Sequence, residues 1–283
     1  MSTIPRPKSG VTPIRTILST ESGRQFVLTN HTSPDSTMLY IGSAELYCVS
    51  AQIFPQTPSG RTVWGGDIRI GNLPNLYYNV RCALYSNFIR GSDTNTILRL
   101  LLSYISVNYP YVTALRFEDA SYRDCDEKGQ VKLPEMSYLL TGKTWYEKHY
   151  NAYLLPEDAV RFASADREFQ ELKLYIPWSA MKTKIGTTSD EYKELFESAN
   201  TWQQFFVSVR DRIGISAFYR WLAPWLTEFM RNAFSFRFFG TEYRMPIRNT
   251  IVYTEQPYTR GGKRSRRHTR RKVRVLQPAD LSY

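Results

Sequence analysis

The sequence predicts an α+β fold: a mixed sheet with a helix–strand core, followed by a helical region rich in aromatic residues and a disordered basic tail. Three observations lead to this prediction. The first ninety residues alternate as short strands do, helical periodicity begins near Thr94, and positive charge is concentrated in residues 260–274. The 42% hydrophobic content suffices for a sizeable core, which excludes a chain that is disordered throughout.

Four segments follow from these patterns. We expect a flexible N-terminal segment at 1–35, an α/β core at 36–155, a helical region at 156–257 that packs on the core, and a basic tail at 258–283. Prolines among Ser and Thr indicate the flexible segment, although 25–29 has strand character. The lack of an apolar stretch near the N-terminus argues against a secretory signal.

Strands are expected at 38–40, 45–54, 61–70 and 76–88, because these stretches are rich in β-forming residues and alternate between apolar and polar. Pro55 and Pro58 mark a turn between the second and the third. Together these strands predict an antiparallel meander.

A helix begins near Thr94, and its apolar residues recur at the spacing of one buried face. They are Ile97, Leu98, Leu101, Leu102 and Ile105. Asn108 and Pro110 end this helix. The following stretch, 111–117, is predicted as a buried strand, and 118–129 as a polar loop.

The chain after residue 130 is predicted to be mostly helical. Helices are expected at 134–146, from Pro156 to about 172, and from 189 onward. The sequence T-W-Q-Q at Thr201 fits a capping box, and that helix should end at Gly214. Another should begin at 216 and restart at Pro224. Residues 234–251 return to strand character.

The net charge of +11 is localised in the tail. Nine of the 37 Lys and Arg residues lie in 260–274, where there is no acid, which leaves 28 bases against 26 acids elsewhere. Such a density of like charge favours binding to a polyanion over a purely solubilising role. The nine residues are Arg260, Lys263, Arg264, Arg266, Arg267, Arg270, Arg271, Lys272 and Arg274. Nuclear targeting or binding to membrane phosphate remains an alternative for the same segment.

The three cysteines, Cys48, Cys82 and Cys125, are widely spaced and odd in number. This pattern indicates buried thiols in a reducing compartment and argues against a disulfide framework. No apolar run approaches the roughly 20 residues of a membrane span, so no membrane-spanning segment is expected.

No metal or nucleophile motif stands out. The three histidines are isolated, and no Cys/His spacing matches a zinc site. Asp119, Asp124 and Asp126 form a loop cluster without the Gly and distal Glu of a calcium loop. Neither a phosphate-binding loop nor a G-x-S-x-G motif is present. We therefore expect no metal.

The aromatic residues of the later helices recur mostly at spacings of 3 or 4, which is typical of core faces. An alternative is that part of the set docks a partner protein. The residues are Trp202, Phe205, Phe206, Phe218, Trp221, Trp225, Phe229 and Phe234.

The order strand, loop, helix, strand and W-Y-E-K-H-Y block over about seventy residues resembles that of GCN5-related acetyltransferases. The resemblance implies acetyl-CoA as cofactor and Tyr146 as the acid that protonates the departing thiolate. It also implies a pyrophosphate loop at Arg90, Gly91, Ser92, Asp93 and Thr94. Asp93 and Asn95 stand where the family loop has glycines, so the cofactor loop is degenerate.

Several short motifs resemble poorly characterised proteins of large nucleocytoplasmic DNA viruses. They are D-x-S at Asp119, L-x-x-G-x-T-W-Y-E at 139–147, W-x-x-F-F at Trp202, A-P-W-L at Ala223 and a GGKR-type arginine tail. This resemblance, spread over more than half of the chain, implies a virus-encoded protein and supplies no reaction.

The leading hypothesis is a non-enzymatic, virus-encoded protein that binds nucleic acid or another polyanion through its tail. The alternatives are an acetyl-CoA-dependent N-acetyltransferase and a structural virion component that docks a viral protein through the aromatic helices. The expected location is the host cytoplasm or nucleus, with packaging in the virus particle as an alternative.

Overall fold

The computed structural model describes residues 12–42, 47–55, 66–70, 92–248 and 251–258. The chain divides into two compact units: residues 1–116 with 246–283, and residues 117–245. These boundaries differ from the expected division at 155. The mixed α+β class, with an aromatic-rich helical region, is confirmed.

In the described residues, the first unit contains the strands of a sheet and one helix. Its N-terminal strands are β1 (Ile14–Thr20), β2 (Gln25–Thr32), β3 (Thr37–Gly42), β4 (Tyr47–Ile53) and β5 (Gly66–Ile70). Each pairs antiparallel with the next, so the predicted meander is confirmed for these strands. Its other elements are α1 (Ser92–Asn108), β6 (Ala114–Glu118), of which residues 117 and 118 belong to the second unit, and β11 (Tyr253–Pro257).

The connection through α1 makes the sheet mixed. Strand β5 pairs with β6 in parallel, with Asp67 opposite Arg116, as expected when a helix crosses between two strands. At the other edge β11 pairs antiparallel with β1. The predicted strand at 76–88 lies outside the described residues.

Alternation and helical spacing explain the core of this unit. On β1 and β2, Leu18, Phe26 and Leu28 are buried in period 2. The predicted apolar face of α1 is buried in full, and Asn108 ends the helix by donating from Nδ2 to the Tyr104 carbonyl at 3.0 Å. Apolar burial on regular faces therefore organises both elements.

Two expectations for the N-terminal half are wrong. Residues 14–32, assigned to a flexible segment, form two strands whose apolar side chains are buried. Prolines misled the prediction because they lie before β1 and after β2. Cys48 is disulfide-bonded, whereas three buried thiols were expected; Cys125 is a buried thiol.

The second unit is mostly helical. A hairpin of β7 (Tyr122–Asp124) and β8 (Gln130–Lys132) comes first. The helices are α2 (Leu133–Thr141), α3 (Trp145–Tyr150), α4 (Pro156–Tyr175), α5 (Trp178–Lys184), α6 (Lys193–Ser198), α7 (Trp202–Ile213), α8 (Ile215–Leu222) and α9 (Leu226–Ala233). Two short strands, β9 (Tyr153–Leu154) and β10 (Glu242–Pro246), pair antiparallel.

The helix expected at 134–146 is two helices. Gly142 has φ +72°, a left-handed conformation that ends α2, and its N–H donates to the Tyr138 carbonyl. Helix α3 then starts anew at the cap Thr144. Thr201 caps α7 as predicted, but Gln204 Oε1 accepts from Asn200 N instead of completing the box.

Across the residues that the structure describes, none of the helices combines the length and the apolarity that crossing a bilayer requires.

Candidate functional site

Two short motifs, D-x-S and T-W-Y-E, meet in the second unit. Asp119 comes directly after β6, and its Oδ1 accepts from Ser121 N at 3.1 Å and from Ser121 Oγ at 2.5 Å. This local turn, in which an aspartate binds the backbone two residues on, fixes the carboxyl group. Only 3% of Asp119 is exposed.

The T-W-Y-E motif is a capping box at the start of α3. Thr144 Oγ1 accepts from Glu147 N at 3.3 Å, and Glu147 Oε2 accepts from Thr144 N at 2.7 Å. Both orphan donors of the first turn are thereby satisfied. The conspicuous Thr and Glu of this motif thus begin a helix, and Tyr146 is carried on its first turn.

Tyr146 lies in an aromatic setting that makes it a poor acid. Its ring centroid is 4.6 Å from that of Phe117 and 4.9 Å from that of Trp145. Burial raises the pKa of the Tyr146 hydroxyl well above its usual value, and the nearby Asp119 and Tyr150 raise it further. A phenol that holds its proton so firmly is weakened as a donor to a thiolate.

Tyr243 of β10 completes what we call the tyrosine–aspartate cluster: Asp119, Tyr146 and Tyr243. The ring of Tyr243 stacks on Phe117 at 5.4 Å, and the side chain is fully buried. Desolvation raises its pKa, with Glu147 and Asp119 adding to the effect and the Thr144 hydroxyl opposing it.

The cluster contains two unsatisfied polar atoms. Asp119 Oδ2 and Tyr243 Oη are buried and have no hydrogen-bond partner of standard geometry among the described residues. Desolvation also raises the pKa of Asp119, against the lowering effect of its bonds from Ser121. Burial therefore disfavours the charged form of each group in the cluster.

The predicted cofactor loop is partly helical. Arg90 and Gly91 lie outside the described residues, whereas Ser92, Asp93 and Thr94 form the first turn of α1. The expectation of a loop through residue 94 is therefore wrong. The sequence itself contains the reason: Ser and Asp are common at helix starts, so the helix begins two residues earlier than periodicity alone indicates.

The aromatic residues of the later helices form a core, as their spacing predicts. Trp202, Phe205, Phe206 and Phe218 have no exposed surface, and Trp225, Phe229 and Phe234 are at most 6% exposed. Trp221 is half-buried. The surface of the buried members is already used within the unit, so partner docking through this set stays a prediction for the half-buried Trp221.

All nine predicted polyanion-binding residues, 260–274, lie outside the described residues. Among the residues that are described, no group of three or more His, Cys, Asp or Glu is placed to hold a metal ion.

The tyrosine–aspartate cluster was missed as a set, because Tyr243 lies about a hundred residues after Asp119 and Tyr146. Only the T-x-x-E spacing is visible in the sequence, and it indicates the N-terminal cap of α3 rather than the cluster. Comparison with protein-family models, curated proteins and solved structures finds no match to this chain.

Proposed function

We propose that this chain is a nucleic-acid-binding protein whose contact segment is 260–274. The observation that carries the proposal is the charge distribution: nine Lys and Arg without one acid in fifteen residues, while the rest of the chain holds 28 bases and 26 acids. Phosphate backbones attract such a segment through release of their counterions. A targeting role would also use these residues but would need no affinity for nucleic acid.

The segment 260–274 contains no Phe, Tyr or Trp, so it offers no such stacking platform for bases. Binding through the tail should therefore be insensitive to sequence and strongly dependent on salt. If all nine cations contact phosphate, log K should fall against log [salt] with a slope of roughly −6 to −8.

Fluorescence anisotropy with labelled single- and double-stranded oligonucleotides tests this proposal. Changing the nine basic residues to Gln, or ending the chain at residue 258, should remove most of the affinity and flatten the salt dependence. A matched control changes three basic residues of the second unit, Lys182, Lys184 and Arg212, to Gln. Unchanged binding in the nine-Gln variant would overturn the proposal.

The resemblance to large DNA virus proteins adds a second, separable proposal: the protein is encoded by such a virus and packaged with its genome. Mass spectrometry of purified particles should detect the chain, and its absence from them would count against packaging while leaving the binding activity intact.

We also propose an acetyltransferase-like core as a second candidate, because α1 leads from β5 into the parallel strand β6 and the aromatic helix α3 follows. Calorimetry with coenzyme A at millimolar concentration should then give a saturable heat. The absence of heat would remove this candidate. The raised pKa of Tyr146 predicts slow chemistry even if the cofactor binds.

A further inference from the structure

A cavity of about 630 Å³ lies in the second unit beside the start of α2 and the end of α9. This volume falls within the roughly 300–1,000 Å³ of small-molecule sites. The segment 234–239, which follows α9, supplies four phenylalanines to its wall. Three of them, Phe234, Phe236 and Phe238, are at most 4% exposed and form part of the core.

The fourth phenylalanine differs from the others. Phe239 is 54% exposed, so one aromatic face is open to a ligand beside an otherwise buried aromatic wall. Flat heterocycles stack on such faces. Lys132 Nζ lies 5.5 Å from the centroid of the Phe239 ring.

The polar part of the cavity is one buried carboxylate among cations. Glu135 is 7% exposed, and its Oε2 has no hydrogen-bond partner among the described residues. Its Oε1 accepts from Lys132 Nζ at 3.4 Å, a long contact from a side chain that is 31% exposed. Arg231 and Arg237 also line the cavity, and both residues are exposed.

These groups select for an unusual combination in a ligand. The carboxylate requires donors, ideally two side by side. The three cations outnumber the one acid and therefore favour a negatively charged ligand, which disfavours a cationic guanidinium or amine. The exposed ring requires a flat aromatic body. Guanine presents N1–H and N2–H₂ next to each other, and a nucleotide adds the phosphate.

We propose that this cavity binds a guanine nucleotide, with the base edge on Glu135, the ring on Phe239 and the phosphate on Lys132, Arg231 and Arg237. Lys132 contacts both Glu135 and Phe239, the two groups that hold the base. When the donors of the base bind the Glu135 carboxylate, they displace the Lys132 ammonium group, which is then available to the phosphate. The proposal is independent of the tail, because none of these residues lies in 260–274.

Calorimetry on the full chain at 150 mM salt tests the site with GMP, guanosine and AMP. GMP should bind at least tenfold more tightly than AMP, whose N1 acceptor faces the carboxylate. Guanosine should bind more weakly than GMP because it lacks the phosphate. Equal affinity for GMP and AMP, or no binding of GMP at millimolar concentration, would overturn the proposal.

Two variants test whether a loss of GMP binding comes from the site itself or from a disturbed fold. Glu135→Gln replaces one acceptor by a donor and should reduce GMP affinity at least tenfold, without change in the circular dichroism spectrum. Phe239→Ser alters a half-exposed ring and should reduce it at least fivefold. Val160→Ala, on the exposed surface of α4, serves as the matched control. Unchanged GMP affinity in both site variants would contradict the assignment.

The nine-Gln tail variant distinguishes this site from the tail, since it should keep the preference for GMP over AMP even if its nucleic-acid affinity is lost. A short single-stranded RNA with one internal guanine identifies the source of the base. Tighter binding of that RNA than of GMP assigns the site to nucleic acid, and the reverse assigns it to the free nucleotide. A peptide with one arginine that binds more tightly than GMP would overturn the proposal.

Discussion

The aromatic core of the second unit and the tyrosine–aspartate cluster are buried to a similar degree but differ in how their polar atoms are accommodated. In the core, Trp202 stacks on Phe169 at 5.0 Å and its Nε1 donates to the Phe169 carbonyl at 2.6 Å. In the cluster, Asp119 Oδ2 and Tyr243 Oη have no such partner among the described residues, a cost that the core shares at Trp225 Nε1.

The two regions show that apolar packing and the burial of polar groups affect stability in different ways. Apolar burial is non-directional and roughly additive over the area removed from water, so the core gains stability from each ring. An unsatisfied buried polar group costs about 1–3 kcal/mol. The core should therefore lose stability when it is changed, whereas the cluster should tolerate, or gain from, removal of a charge.

The largest expected effect is Trp202→Ala. The side chain is fully buried and contacts Phe169, Phe206 and Phe229. Removing it should lower the free energy of unfolding by about 3–5 kcal/mol, since it leaves a cavity in a packed core. Chemical denaturation measures the loss. Val160→Ala, at a position 72% exposed, is the control and should change stability by less than about 0.5 kcal/mol. Equal losses in Trp202→Ala and Val160→Ala would contradict the inference that the buried rings stabilise the core.

Lys173→Met should have the next largest effect. Lys173 is 6% exposed, and its Nζ donates to the Phe196 and Ala199 carbonyls at 3.1 and 2.8 Å while lying 4.0 Å from the Phe196 ring. Methionine keeps the packing but leaves carbonyls at the end of α6 without this donor, which should cost about 2 kcal/mol.

Lys184→Met is the matched control for Lys173→Met, because Lys184 is exposed. Both variants lose one positive charge, so a difference between their denaturation midpoints reports the buried contacts alone. Equal midpoints would show that the two carbonyls do not depend on the ammonium group.

Tyr138→Phe removes a satisfied buried hydroxyl. Tyr138 Oη donates to Asp166 Oδ1 at 2.5 Å, and Asp166 also accepts from Gln170 Nε2 at 3.2 Å. The loss should be about 1–2 kcal/mol, as expected for a hydrogen bond to a charged group. Thermal denaturation measures the loss, and Tyr175→Phe, at a residue 81% exposed, should be neutral in the same assay.

The smallest effect, with the opposite sign, is expected for Asp119→Asn. Desolvation raises the folded-state pKa of Asp119 above its ordinary value of 3.8. The folded protein then binds more protons than the unfolded chain between the two pKa values, so this group lowers stability as pH rises through that window. At neutral pH the amide should be more stable by roughly 0.5–1 kcal/mol.

A pH series of urea denaturation checks the Asp119→Asn prediction. The gain should disappear below the ordinary pKa, where the aspartate is protonated in both states. A loss of stability that is constant across the series would show that the bonds from Ser121 outweigh desolvation. It would also show that the cluster resembles the aromatic core more closely than we infer.

The apolar faces of the helices and strands were predictable from the sequence. The helix at 92–108 and the strands of the meander follow from spacings of 3.6 and 2 residues, which depend only on side-chain polarity. The aromatic spacing of α7 to α9 likewise predicted burial. These features are local, so neighbouring residues contain the information.

Other features depended on conformation or on distant partners. The interruption between α2 and α3 depends on the left-handed conformation of Gly142. The T-x-x-E spacing from Thr144 does indicate the start of the second helix. Residues 14–32 were misassigned because prolines flank them, whereas their strands pair with each other, with β3 and with β11. The boundary between the units at 116 and 117 falls inside the predicted strand 111–117.

The sequence by itself determined the α+β class, the main helices and strands, and the concentration of nine positive charges in 260–274, because polarity patterns and charge are properties of consecutive residues. Only the tertiary structure decided that Asp119 and Tyr243 are buried together and that Glu135 faces cations beside Phe239. Directional contacts between residues about a hundred positions apart cannot be read from local spacing, since they arise only when the chain packs.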